Sequence, residues 1–259
     1  MIEINNLTFA YSGQAEIFKG FSLTVNRGDA WSVIGPSGCG KSTFLYLLAG
    51  LRRLTAGTIL IEGAPVLRPR PRTGLVLQDH GLLPWATVKE NARLGLSIWN
   101  FYGADGKHAP VDKKLDRTKA DQRVDYWLQK LGIEGLKDEY PGRLSRGQRQ
   151  RTAIARTLAM EPDLLLLDEP FSALDAPTRE ELENLIANLN RESNITCIIV
   201  THDIEAAVVM GKKILALREG FNHKPLVLEN TCAGIIDERN QAAFHNQCAQ
   251  LRKVLGELA

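Results

Sequence analysis

Two acids sit side by side, Asp168 and Glu169, at the end of the apolar run LLLLDEP. A lysine and a serine, Lys41 and Ser42, follow the glycine-rich stretch GPSGCG at 35–40. These are residue types suited to polyphosphate chemistry. Glycines let the backbone bend around an oxyanion so that successive N–H groups point inward. A lysine adds a full charge, while a serine hydroxyl and a carboxylate suit Mg²⁺.

The spacing sharpens this reading. GPSGCGKST, Gly35 to Thr43, fits G-x-x-x-x-G-K-[ST], the P-loop pattern. It lies between a strand-like AWSVIG and a helix-like KSTFLYLLAGL, and that helix adds its positive N-terminal end. Candidate phosphate-binding residues are Gly35, Ser37, Gly38, Cys39, Gly40, Lys41, Ser42 and Thr43, with the N–H groups of 38–41 turned inward. Asp168 closes a run without alternation, which predicts a strand buried on both faces, and there it can hold Mg²⁺ directly or through water. Glu169 points elsewhere and suits taking a proton from an attacking water. The plainer reading of the pair is an acidic start to the next helix. Together the two motifs imply hydrolysis of a nucleoside triphosphate with Mg²⁺.

A second anion-binding arrangement, LSRGQ at 144–148, opens the helix-like RQRTAIARTLAM. Ser145, Gly147 and Gln148 would present N–H donors and a positive helix end, although Ser145 also reads as an ordinary cap. One chain thus carries two phosphate grips.

The positioning elements follow from patterning. IEINNLTFAY and FSLTV alternate as strands, and GTILIEG and TGLVLQD are two more strands bounded by glycines. From about Val88 the pattern is helical and polar, with a loop-like YGADGKHAPVD and then the helical RVDYWLQKLGI. After LLLLDEP come a helix (TREELENLIANLN), a strand (TCIIVTH), a helix (IEAAVVMG) and a strand (KKILALR). Alternating strands and helices predict an α/β fold with a parallel central sheet. The last thirty-five residues are weakly patterned and receive no chemistry.

Bulk properties narrow the class. The 259 residues carry a formal net charge of +2, too small for a dedicated nucleic-acid binder. Four cysteines, Cys39, Cys197, Cys232 and Cys248, show neither C-x-x-C nor metal spacing, which fits a reduced, cytosolic setting. FLYLLAGL falls short of the roughly 20 residues that cross a bilayer, and the N-terminus has no signal-peptide pattern.

With GPSGCGKST, LSRGQ and LLLLDEP in this order, the chain resembles the ATP-binding subunits of ABC transporters over roughly Ile2 to Arg218. Tyr11, Gln78, SALD at 172–175 and His202 fall where that family has its other motifs. The resemblance implies a P-loop NTPase core with a mainly parallel sheet, an N-terminal antiparallel β subdomain and an inserted helical subdomain at about 88–160. The nucleotide-binding domain would span 1–225, leaving a tail at 226–259. It implies a head-to-tail pair of chains in which ATP lies between one P-loop and the other chain's Ser145, Gly147, Gln148 and Asp175. Tyr11 would stack on adenine, and Gln78 would link Mg²⁺ and the attacking water to the helical subdomain. His202 would contact the γ-phosphate, with Glu169 as the base. The partners implied are a second copy, a transmembrane permease and, indirectly, an extracytoplasmic solute-binding protein, on the cytoplasmic face of the inner membrane. Nucleic acid is not implied.

DHGLLPWATVKENARLGL after Gln78, and EYPGRLSRGQRQR, resemble the nitrate/taurine/sulfonate-type importers, which implies a small anion or organic-acid cargo. Leu82, Leu83, Pro84 and Trp85 then form either a socket for the membrane partner or, for Trp85, a piece of core. Arg146 departs from the family's glycine, with two consequences open: strain where glycine's positive φ is lost, or a new cation beside phosphate. The segment Ser97–Arg123 is longer than the branch has, and the tail departs from its ending. A soluble ABC-type switch in repair or translation is the other class of reading. Repair heads need a long coiled-coil insertion, and translation factors carry two cassettes.

Overall fold

The computed structural model describes residues 1–102, 116–172, 174–234 and 241–258. The stretch read as a loop, YGADGKHAPVD, lies outside them except for Tyr102, as does Ala173 of SALD. In chain order the strands and α-helices begin with β1 (Ile2–Ala10), β2 (Glu16–Val25), β3 (Ala30–Ile34), α1 (Lys41–Leu48), β4 (Ala56–Ile61) and β5 (Ala64–Pro65). Then come β6 (Thr73–Val76), α2 (Val88–Tyr102), α3 (Arg117–Lys130) and α4 (Arg146–Leu158). The chain closes with β7 (Leu164–Asp168), α5 (Ala176–Ser193), β8 (Thr196–Val200), α6 (Ile204–Met210), β9 (Lys213–Ala216), β10 (Leu226–Glu229) and α7 (Ala242–Leu258). These elements form two compact units, one from Met1–Arg70 with Leu164–Ala259, the other from Pro71–Asp163.

The first unit is built on two sheets. β2, β1, β4 and β5 pair antiparallel in that order, with Ile2, Ile4, Leu7 and Phe9 of β1 buried. The other sheet runs β10-β9-β3-β8-β7 within this unit. Its strands are parallel except for β10, which returns antiparallel along β9. Every residue of β3, β7 and β8 is buried, the consequence of uninterrupted apolar runs covered on both faces. Cys197 lies inside β8, where burial pushes its thiol up to about 12, so it behaves as a small apolar side chain.

The described residues of the weakly patterned C-terminal stretch include two regular elements. β10 extends the central sheet past residue 225, and α7 packs on α6. α7 buries Phe244, Cys248 and Leu251, one residue per helical turn. That narrow stripe is a faint signal in sequence.

Among its described residues the second unit holds β6 and the α-helices α2, α3 and α4, and the helical region at 88–160 read from sequence lies within its wider bounds. α2 opens with a reciprocal cap: Glu90 N–H donates to Thr87 Oγ1 at 3.2 Å and Thr87 N–H to Glu90 Oε2 at 2.8 Å. Asp116 caps α3 through the N–H groups of Thr118 and Lys119. Asn91, fully buried on α2, organises the loop ahead of its own helix. Its Oδ1 accepts from Leu83 N–H at 2.8 Å, and its Nδ2 lies 3.1, 2.9 and 3.0 Å from the carbonyls of Leu83, Ala86 and Thr87. Removing this amide strands several polar backbone groups, each costly when buried. Asn91→Ala is therefore expected to cost about 2 kcal/mol of stability, read as a fall of several degrees in the melting temperature followed by circular dichroism.

Candidate functional site

Within the first unit the loop between β3 and α1 forms a cradle. Gly40 takes φ of +102° as the cap of α1, and a β-carbon there would lie 2.4 Å from Ile17 Cγ2. Gly35 is needed for space: a β-carbon would meet the Leu217 carbonyl oxygen at 2.4 Å and Cys39 Sγ at 2.8 Å. Cys39 is buried against this turn, and desolvation raises its thiol above the ordinary range despite the nearby Lys41. α1 has no acid in its first turn and no side-chain cap, so nothing on the helix itself competes for its N-terminal N–H groups. Lys41 Nζ reaches back over the loop to the carbonyls of Gly35 at 2.9 Å and Pro36 at 2.8 Å.

β7 ends at the two acids and the parallel β8 leads to His202, at the end of the sheet where β3 runs into the loop. Ser42 Oγ donates to Asp168 Oδ1 at 3.1 Å. Asp168 is buried, and desolvation is the main reason its carboxyl is raised above the usual carboxylate range; the Ser42 hydrogen bond lowers it, Glu169 raises it and Lys41 lowers it. One carboxylate and one hydroxyl form the kind of partial set that Mg²⁺ completes with phosphate oxygens and water.

Glu169 adopts φ of +50°, a left-handed conformation costly for a side-chain-bearing residue. This turn ends β7 directly after Asp168. Its N–H donates to the Val200 carbonyl at 2.9 Å, and its carbonyl accepts from Ser172 Oγ at 2.9 Å and Ser172 N–H at 3.2 Å. His202 Nδ1 lies 2.9 Å from Glu169 Oε2, with the imidazole largely exposed. Ser172 was not singled out in sequence, where it is only the first letter of SALD.

The remaining residues have local partners. Tyr11 bonds Thr43 Oγ1 through its hydroxyl at 3.1 Å, sets its ring against Phe9, and lies under the Arg52 guanidinium at 5.6 Å from the ring centroid. Asp175 caps α5 by accepting from Thr178 N–H at 3.3 Å.

In the second unit Ser145 caps α4 in a capping box: Gln148 N–H donates to its Oγ at 3.2 Å and its own N–H donates to Gln148 Oε1 at 2.8 Å. The hydroxyl accepts in that bond and keeps its own proton to donate. Arg146 occupies the first helical position and is absent from the positive-φ residues, so the strain expected from losing a glycine does not arise. Gln78 lies exposed just past β6. The loop after it is held from α4 by Arg156, whose Nη atoms donate to the carbonyls of His80 at 2.7 Å and Gly81 at 2.6 Å. His80 and Arg156 carry no motif signal. On this loop Trp85 is 73% exposed, which excludes the core reading.

The family model described as ABC transporter matches residues 18–172, more than half of the chain. An aliphatic sulfonates import ATP-binding protein, SsuB of Bacillus anthracis, is 36% identical over 230 residues, covering 88% of this chain and 84% of that protein. The taurine import ATP-binding protein TauB of Escherichia coli K12 is 39% identical over 220 residues, covering 85% and 80%. The bacterial ABC transporter cassette MJ0796, solved as a dimer, superposes with a TM-score of 0.76 at 31% identity, covering 88% of this chain and 98% of that one. The chain belongs to the ABC transporter family. It is an ATP-binding subunit of the class that hydrolyses ATP to drive transport.

Because folding buries the Asp168 carboxylate, the folded chain holds its proton more tightly than the unfolded chain does. Ionisation of this group therefore opposes folding, and that penalty disappears as pH falls through the raised value. Asp168→Asn, which can still accept from Ser42, should stabilise the ligand-free chain by about 1 kcal/mol, or roughly 2–4 °C in melting temperature at neutral pH, while abolishing Mg²⁺-dependent ATPase activity. Differential scanning calorimetry and phosphate release measured on one preparation check both halves.

Proposed function

We propose that the chain powers an importer of small sulfonate-like or related organic anions. Two copies work head to tail on the cytoplasmic face of the inner membrane against a transmembrane permease, supplied by an extracytoplasmic solute-binding protein. The observation that carries the coupling is Trp85. A large aromatic side chain lies exposed on a loop that Asn91 and Arg156 hold by its backbone, so its display is enforced and not a failure of packing. A rigid apolar projection suits a helix from a membrane partner. The printed roles of SsuB and TauB support the cargo class, and the dimeric MJ0796 cassette supports the pairing.

In this reading the N–H groups of 38–41 and Lys41 hold the β- and γ-phosphates, and Tyr11 packs on adenine. Ser42 and Asp168, with Gln78, would hold Mg²⁺, which when bound neutralises charge on the phosphates. Glu169 accepts a proton from the water that attacks the γ-phosphorus, as the bond to the bridging oxygen of ADP breaks. His202, already 2.9 Å from Glu169, orients that carboxylate and contacts the γ-phosphate. The partner copy completes the site with Ser145, Gly147, Gln148 and Asp175. Arg146 also has a use there. A cation in the first turn opposes its own helix dipole, an arrangement that a nearby polyphosphate offsets.

Two measurements test this. Glu169→Gln should retain ATP binding while hydrolysis falls by about 10³-fold, and a nucleotide-locked dimer should accumulate in light scattering. A variant that binds ATP and hydrolyses it at the parental rate would remove Glu169 from its role. Copurification from native membranes in mild detergent should recover a multi-span membrane protein. Trp85→Ala should lose that partner while keeping the isolated chain's ATPase within about twofold. Recovery with ribosomes or DNA alone would overturn the importer reading.

A further inference from the structure

Asn222 lies well beyond the last motif, in a segment whose sequence carries no chemical signal. It is 3% exposed, and each of its polar groups has a partner. Its backbone N–H donates to the Ile17 carbonyl at 2.8 Å, and its own carbonyl accepts from Lys19 N–H at 3.0 Å, so the segment pairs with β2. Its side-chain Oδ1 accepts from Arg218 N–H at 3.0 Å, which closes the turn that follows β9. The two hydrogens of its amide point elsewhere. Nδ2 lies 3.3 Å from the Ile17 carbonyl and 3.3 Å from the carbonyl of Cys39, inside the phosphate loop.

The last contact matters because of what shares the Cys39 carbonyl's peptide plane. In a trans peptide the C=O and the following N–H point in opposite directions. Holding the Cys39 carbonyl outward aims the N–H of Gly40 into the cradle. Gly40 is at φ of +102°, where the bare backbone has little to fix the tilt of that plane. The same segment presses on the loop's other end, since Leu217 N–H donates to the Ile34 carbonyl at 2.8 Å and the Leu217 carbonyl fills the space beside Gly35.

We propose that Asn222 is a positioning residue for nucleotide binding: its amide clamps the Cys39–Gly40 peptide so that the loop's N–H donors face the phosphates. The inference rests on the reading of residues 35–43 as the ATP-phosphate site. Asn222 touches no reacting atom and lies apart from the Glu169–His202 pair, so its effect falls on affinity and not on the chemical step.

Asn222→Asp separates the two ends of the side chain. The carboxylate still accepts from Arg218 N–H but donates to neither carbonyl and repels both. His223→Ala is the comparison, because His223 Nδ1 ties the same segment to β2 through the Lys19 carbonyl at 2.7 Å without reaching the phosphate loop. With the full chain and Mg²⁺-ATP, Asn222→Asp should raise KM for ATP, and Kd for a fluorescent ATP analogue, about tenfold while kcat stays within about twofold. His223→Ala should leave both unchanged at a comparable loss of melting temperature. Asn222→Ser, whose hydroxyl serves at most one carbonyl, should fall between, and it carries the test if the aspartate variant does not fold. An unchanged KM in the folded Asn222 variants overturns the proposal, as does an equal rise in His223→Ala. A parent chain that does not bind ATP would instead overturn the reading of residues 35–43.

Discussion

The reading of the first unit depends on one constraint: in the proposed phosphate site the donors are mainly backbone N–H groups, and a backbone donor can be aimed only by fixing its peptide plane. A side chain can rotate to find a ligand. A peptide group at a glycine cannot be trusted to do so, because glycine has no preferred tilt to hold. The surroundings therefore supply the rigidity. β3 delivers the loop from the middle of a fully buried sheet, α1 receives it, Ile17 and Leu217 fill the space that β-carbons would occupy, and Asn222 holds a carbonyl from behind.

The acids obey the complementary logic. A carboxylate meant for a cation gains from burial because water cannot compete for it, yet burial opposes its charge until the cation arrives. Asp168 accepts that cost at the end of a strand with no exposed residue. Its neighbour has another task in the proposed mechanism, and Glu169 leaves the strand direction at once through a left-handed backbone turn held by Val200 and Ser172. In the proposed mechanism adjacent residues of one chemical type take different tasks, with the conformational strain placed at the site.

Much of this was legible in the sequence because the physics there is local. A glycine-rich loop between strand and helix, and an apolar run ending in an acid, each declare their geometry within ten residues. The parallel sheet followed from unalternated apolar runs and from strands alternating with helices, whereas alternation marked the N-terminal strands and their antiparallel pairing came from the resemblance. What was not legible depends on contacts distant in sequence. Nothing near Asn222 or Arg156 announces that its amide or guanidinium will meet a carbonyl of a remote loop, and Ser172 became meaningful only once Glu169 was seen to turn. The C-terminal helix eluded pattern reading because it buries a stripe only one residue wide. Of the two readings open for Arg146, strain falls away, because the position is an ordinary first helical residue whose torsions any side chain adopts.

The order of strands has a consequence for synthesis. β3, which carries the phosphate loop, has β8 and β9 as its neighbours, and both are encoded after the whole of the second unit. As the chain leaves the ribosome, this apolar strand has neither edge paired until residues near Val200 have emerged. The apolar strand that leads into the glycine-rich loop is thus unpaired on both edges through much of synthesis, and an apolar strand left open in that way is prone to aggregation until its neighbours arrive.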